Sequence, residues 1–348
     1  MKKSLLALAV LGAYVGAVSA QSSVTLYGTI DLSAKYTKND GSKRRYSLSQ
    51  DGINSSQLGF RGVEDLGGGL KASFVLLAGV NADTGTTNTK FFNRRSTVSL
   101  SGGFGELRLG RDYTPTFWND TIFDAFGTNG LGDSSHVLQL PTNTFVRADN
   151  SIQYFLPAMG GLYGQVMAAA GEGGVGTAAA VNPGRYVGGR VGFAAGPFDV
   201  AVAYAQQKYN GAVNNIAGTR DEQKTWNIGG SYDFGVAKIL GYYDRDTVAG
   251  LKENRFSLSG VVPLGQGEIH AGYDYSKLKA SGLNNKVDQW KVGYVYNLSK
   301  RTAVYTNFSR LSNGNASALS VAGGSAITAA PTFGGKSTGA EFGVRHFF

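Results

Sequence analysis

Long stretches of the chain alternate apolar and polar residues with a period of two. Val24, Leu26, Gly28, Ile30, Leu32 and Ala34 share one face of an extended segment, and Thr25, Tyr27, Thr29, Asp31, Ser33 and Lys35 share the other. Ser56–Glu64 repeats the pattern, with Leu58 and Phe60 opposite Gln57 and Arg61, and Asp65–Gly69 then reads as a tight turn into Leu70–Val80. The last stretch behaves alike: Ala340, Phe342, Val344, His346 and Phe348 face one way, Glu341, Gly343, Arg345 and Phe347 the other.

The same unit recurs throughout. Short glycine-rich turns fall near Asp65–Gly69, Gly102–Gly105, Ala158–Gly161, Gly196–Phe198, Phe234–Val236, Pro263–Gly267 and Asn297–Arg301. Longer polar connections fall near Asn39–Ser55, Asn81–Thr89, Tyr113–Phe145, Gly171–Gly184, Tyr209–Glu222, Thr247–Glu253, Leu278–Lys286 and Ser312–Lys336. Seven turns and eight connections separate sixteen strands, and the two kinds alternate strictly. An even count places both chain ends on the short-turn rim, where the first strand can pair with the last and remove the sheet edge. Helical periodicity is confined to a turn or two within Thr116–Ala125, and no interdomain linker appears.

Composition decides what surrounds such a sheet. Charged residues are 16% of the chain, below the roughly 25% of an ordinary soluble domain. Mean hydropathy is nonetheless −0.14, and beyond residue 20 no apolar run reaches the ~18 residues of a membrane helix. Apolar residues are therefore interleaved with polar ones, the signature of strands that face lipid on one side and water on the other. Aromatic residues near predicted strand ends (Tyr232, Phe234, Tyr242, Tyr243, Tyr273, Trp290, Tyr296, Phe347) suit interfacial girdles. Met1–Ala20 has Lys2 and Lys3, an apolar core and small residues at Val18 and Ala20, which predicts a secretory signal peptide with a mature start at Gln21.

There is no cysteine, so thiolate metal sites and thiol chemistry are excluded. The net charge of +9 includes the two leader lysines, leaving +7 for the mature chain. Lys and Arg are scattered without a compact stripe, which argues against nucleic acid and for a basic lumen that attracts anions. Gly171–Gly176 satisfies G-x-G-x-x-G, but no helix follows before Pro183, so it offers no phosphate cradle. His136, His270 and His346 share no ligand spacing, and neither a metal nor a cofactor is expected. A Ser–His hydrolase on the lipid face would have to use His270, and the strand count argues against it.

The chain resembles the trimeric general porins of Gram-negative bacteria, in their β-proteobacterial form. The resemblance is carried by Ser23–Gly28, Leu58–Gly67, Gly103–Gly105 leading into Leu109–Arg111, Asp149–Tyr154, Leu298–Thr302 and Gly343–Phe348. It implies an all-β, sixteen-stranded transmembrane barrel in the outer membrane, assembled as a homotrimer among outer-membrane lipids and lipopolysaccharide. It implies passive diffusion of small hydrophilic solutes and a third long loop, here Tyr113–Phe145, folded into the lumen. It also implies that the barrel-assembly machinery reads the terminal Phe348.

Pores select through the charge lining their narrow zone, and low-dielectric walls strengthen that field. By strand parity Arg61, Arg147, Asp149 and Ser151 point inward, as does Lys71 close to the short-turn rim. Val98 and Leu100 outward would put Arg95 inside, whereas the family pattern aligns its wall arginine with Arg94; Arg95 is preferred. Gln57 stands where the family often has arginine, Phe74–Leu77 lacks a frequent glutamate, and the inward loop lacks Pro-Glu-Phe-Gly and carries Asp120, Asp124 and Asp133 instead. The balance of these departures favours anions. The alternatives are a channel specific for small anions such as organic acids or phosphate, and a closed barrel acting as adhesin, anchor or enzyme.

Overall fold

The computed structural model describes residues 23–140, 146–171, 184–213, 216–322 and 330–348. The predicted leader, and the G-x-G-x-x-G motif after Gly171, lie outside them.

One antiparallel sheet closes on itself. Its strands are β1 (Ser23–Asn39), β2 (Arg45–Gln50), β3 (Gln57–Gly67), β4 (Leu70–Asn81), β5 (Thr86–Thr87), β6 (Arg95–Gly102), β7 (Gly105–Tyr113), β8 (Arg147–Phe155), β9 (Leu162–Ala169) and β10 (Tyr186–Ala195). They continue with β11 (Phe198–Val213), β12 (Ile216–Asp233), β13 (Lys238–Val248), β14 (Leu251–Leu264), β15 (Gly267–Ala280), β16 (Leu283–Asn297), β17 (Thr302–Asn313) and β18 (Lys336–Phe347). β2 and β3 occupy one wall position, since both pair with β1, and the short β5 pairs only with Val80–Asn81 in a connection. The wall therefore has sixteen strands.

Closure is made by β1 and β18, in register from Thr29↔Phe347 to Asn39↔Ser337. Phe348 extends it: Gly28 and Phe348 exchange backbone hydrogen bonds at 3.1 Å each way. Gly28 is required there, because a Cβ would lie 2.3 Å from the Phe348 ring.

The seven short turns fall where the sequence places them, but four of the longer connections differ. Arg45–Gln50 continues the wall, with Tyr46 and Leu48 on its exposed face, so only residues 51–56 leave it. β13 and β14 run up to a two-residue turn, Ala249-Gly250, whose φ angles of 49° and 78° make the twisted hairpin turn. β15 and β16 likewise close at Ser281-Gly282, and β11 pairs with β12 as far as Val213↔Ile216. Around these turns the alternation is inverted, with Val248, Leu251 and Leu278 inside and Lys252 and Lys279 outside, and in Arg45–Gln50 it lasts only six residues, which hides a strand from a reading that seeks apolar residues outside.

Outward side chains form an apolar band between two aromatic rings. On the long-loop side Trp226 lies 5.3 Å from Tyr243 and Tyr273 4.5 Å from Trp290, ring centre to ring centre; on the short-turn side Tyr232 lies 4.5 Å from Phe234. Val292 sits between Trp290 and Tyr294 on the outward face of β16. Val292→Arg should cost about 2–4 kcal/mol near the bilayer midplane, read from reversible urea unfolding in lipid vesicles. An unchanged midpoint would show that this face does not meet hydrocarbon.

Candidate functional site

The connection between β7 and β8 turns into the lumen. It opens with α1 (Pro115–Ile122), capped by Thr114, whose hydroxyl accepts from the Phe117 amide at 3.4 Å, with proline in the first turn. The loop lies on inner-wall positions that are apolar where it needs them. Phe123 packs with Ala201 and Tyr242; Leu131 and Val137 pack with Val287 and Leu311; Leu140 packs with Val248, Leu251 and Leu278. The connection after β17 also turns inward and buries Val321 against Leu131 and Val137, an inward element that the sequence reading does not anticipate.

Buried contacts between acids and cations beneath the loop fix its position. Asp120 lies 3.3 Å from Arg255, which also meets Asp244 at 3.0 Å and Asp246 at 3.6 Å. Asp124 lies 3.0 Å from Lys291, which also meets Asp274 at 3.0 Å and donates to the Gly132 carbonyl at 2.8 Å. The Glu253 carboxylate accepts from the Gln139 and Leu140 amides at 2.9 and 2.8 Å. Asp120 and Asp124, expected on the lumen face of the loop, thus turn toward the wall and are buried. Asp133 alone of the three stays partly open, capping the Ser135 amide at 2.7 Å. It lines a cavity of about 490 Å³ with Lys35, Arg45, Asp51, Asp83 and His136.

Cations gather across the lumen, where the loop leaves the wall. Tyr113 stacks on Phe117 and Trp118 at 5.3 and 5.1 Å. Its hydroxyl accepts from Arg147 at 2.8 Å and from Arg94 at 3.4 Å, and the Arg147 guanidinium also lies 4.3 Å over its ring. Arg95 is on the inward face of β6, bonded to Thr97 at 3.1 Å and 3.4 Å from Asp112. Arg94 and Arg95 therefore both belong to this neighbourhood. Left-handed Asn150 (φ 52°) and a register shift opposite Gly110–Asp112 interrupt the alternation of β8. Ala148 rather than Asp149 is then packed inward, with Met167 and Tyr186, and Asp149 pairs with Arg111 at 2.6 Å and with Lys90. Arg61 is exposed, 5.3 Å from the Tyr27 ring centre; Lys71 is exposed beside the short-turn rim; Gln57 stands at the foot of residues 51–56.

Those six residues are a third inward element. Asp31, fully buried on β1, accepts from the backbone amides of Gly52, Ile53 and Asn54 at 3.2, 3.0 and 2.8 Å and from the Tyr305 hydroxyl. Ser55 donates to Asn129 of the inward loop at 2.9 Å. Gly130 (φ 57°) comes so close to Gly52 that a Cβ would lie 2.1 Å from its carbonyl oxygen.

A family model described as Gram-negative porin matches residues 7–316. The chain belongs to the Gram-negative porin family. The porin is 42% identical to outer membrane porin protein 32 of Delftia acidovorans over the whole of both chains. It is 30% identical to an outer membrane porin protein of Bordetella pertussis, over 92% of this chain and 98% of that one. The solved structure of an anion-selective porin from Comamonas acidovorans superposes with a TM-score of 0.85 at 37% identity, covering 94% of this chain and all of that one. It is thus an outer-membrane channel of a passive family and not an enzyme.

Several residues that shape this porin escape a reading by strand parity alone. Arg255 and Lys291 are buried cations on the wall, and their signal is the run of alternating carboxylates, Asp244 and Asp246 on β13 and Glu253 on β14, that share the inner face with them. His270 faces inward, its Nδ1 2.7 Å from the Ala125 carbonyl oxygen and its Nε2 2.9 Å from Glu268.

Burial pushes the Asp120 carboxyl up to about 7, with Asp246 adding to the rise and Arg255 opposing it. A carboxyl raised above its ordinary 3.8 takes up a proton when the loop docks, so docking weakens as pH rises through that interval. Burial holds His136 below its ordinary 6.5, which acts with the opposite sign as pH falls. Asp120→Asn imitates the protonated acid and leaves His136 alone. Between about pH 5 and about pH 8, open-channel current noise in planar bilayers should rise more in the wild type than in Asp120→Asn. Superimposable noise profiles would remove Asp120 from the docking equilibrium.

Proposed function

We propose that this porin is a homotrimeric diffusion channel for small hydrophilic solutes that prefers anions, narrowed by the loop of residues 113–145. The observation that carries the preference is the unequal use of charge. Asp120, Asp124 and Glu253 are buried as anchors of the loop, while among the described residues the Arg94 and Arg147 guanidinium groups hydrogen-bond to the Tyr113 hydroxyl alone, with Asp51 acting on Arg94 only from a distance. The ion path therefore passes more unneutralised cations than anions. Arg95 and Arg61 extend the positive wall, with Lys71 at the short-turn mouth and Gln57 neutral between them; Asp133 remains as a partial counterweight. Similarity to a porin described as anion-selective supports the same reading.

The remaining features follow the family resemblance. Residues 1–20 serve as a leader removed on export, Phe348 presents its aromatic end to the barrel-assembly machinery, and lipopolysaccharide surrounds the outer half of the wall. Phe348 suits this role, since its ring and backbone both sit at the seam that closes last in chain order.

A reversal potential measured across a bilayer with unequal potassium chloride should report anion preference, and cation preference would overturn the proposal. A unit charge about 8 Å from the ion path is worth roughly 0.5–1 kcal/mol in a wet lumen, so Arg94→Gln and Arg147→Gln should each lower the anion-to-cation permeability ratio roughly two- to fivefold. Arg95→Gln should do less, because Asp112 already offsets its charge. Saturable block by one organic acid or by phosphate would instead identify a substrate-specific channel.

A further inference from the structure

Outward-facing cations are distributed unevenly around the wall. On β14 to β16, just below the Ala249-Gly250 and Ser281-Gly282 turns, Lys252, Lys277, Lys279 and Lys286 all project outward. They are also cross-strand neighbours: Lys252 is directly opposite Lys279, and Lys277 directly opposite Lys286. Lys277 and Lys279 share one face of one strand, about 7 Å apart. Like charges placed directly opposite destabilise a sheet, yet none of the four has a carboxylate partner among the described residues. Asp288, the acid two residues from Lys286, is engaged with Ser312 and Lys336.

The surface beneath the lysines is mostly apolar and aromatic, with Asp288 its one acid, already engaged by Ser312 and Lys336. One step down the strands lie Phe256 and Tyr275, paired across β14 and β15 with Asp288 completing the row on β16, and below them Leu258, Tyr273 and Trp290. A patch that needs anions thus stands on a shelf made for acyl chains. A free inorganic ion would satisfy the charge and leave the shelf without a role; a lipid with a phosphorylated head satisfies both. Lysine stems lying along the aromatic surface would carry their ammonium groups to the level of such heads.

We propose that Lys252, Lys277, Lys279 and Lys286 form a binding site for a lipid bearing more than one phosphate on its head group, placed on the outer face of β14–β16. The site rests on the reading that phosphorylated outer-leaflet lipid surrounds the barrel, and assigns it to one sector of the wall. The lumen takes no part in it.

The test uses the full-length porin refolded in detergent, with bound lipid counted by native mass spectrometry. The probes are bisphosphorylated lipid A, its monophosphorylated form and phosphatidylethanolamine. The wild type should retain bisphosphorylated lipid A at least tenfold better than a variant carrying Lys252→Gln, Lys277→Gln, Lys279→Gln and Lys286→Gln, with monophosphorylated lipid between. Should that variant fail to fold, the pairs Lys252→Gln with Lys279→Gln and Lys277→Gln with Lys286→Gln should each lower retention about threefold. Conductance and reversal potential should stay at wild-type values in every variant. Equal retention by wild type and variants would overturn the placement while leaving lipid association intact. Failure of the wild type to retain any phosphorylated lipid would remove both. Equal retention of phosphatidylethanolamine, or full displacement of lipid A by an equal concentration of inorganic phosphate, would also overturn the proposal.

Discussion

Hydrocarbon offers no hydrogen-bond partner, so every backbone amide of the lipid-facing wall must be satisfied within the sheet. All else in this porin is built on that condition. It demands closure, and closure is made by β1 and β18 from Thr29↔Phe347 to Asn39↔Ser337, with Gly28 leaving room for the Phe348 ring. Closure leaves an interior that water can enter, and the alternation along each strand then sends its apolar residues to lipid and its polar residues inside.

A barrel of sixteen strands is wide, and what occupies its middle determines what passes. Among the described residues three segments enter it: the loop led by α1, the connection that buries Val321, and residues 51–56 held by Asp31. They are held by different means. The first two use local apolar patches on the inner wall, and the first adds buried polar contacts of Asp120 and Asp124 with Arg255 and Lys291. The third uses a buried carboxylate that receives three successive backbone amides. Using acids as anchors has an electrostatic side effect: each is withdrawn from the lumen, while arginines around Tyr113 keep much of their field in it.

Legibility differed by region. Where one face of the wall meets lipid, the period of two was plain, and the short turns followed from glycine. Beyond the apolar band the outer face turns polar while Val248, Leu251 and Leu278 face the inward loop, so Arg45–Gln50, Thr247–Glu253 and Leu278–Lys286 read as loops although each carries strand. Parity also lapsed at Asp149, because left-handed Asn150 and the shift opposite Gly110–Asp112 break the alternation between Ser151 and Ala148.

The order of residues alone determined the barrel, its strand number, its basic character and the length of the connection at Tyr113–Phe145, since each is a property of local alternation, spacing or composition; that this connection turns inward came from the family resemblance. Only the tertiary structure decided where the charges point. Asp120 and Asp124 lie on the loop by sequence but face Arg255 and Lys291 by packing, and those partners are more than 100 positions away along the chain. Pairing across a lumen depends on how far a loop travels before it meets the wall, a distance that no period in the sequence records.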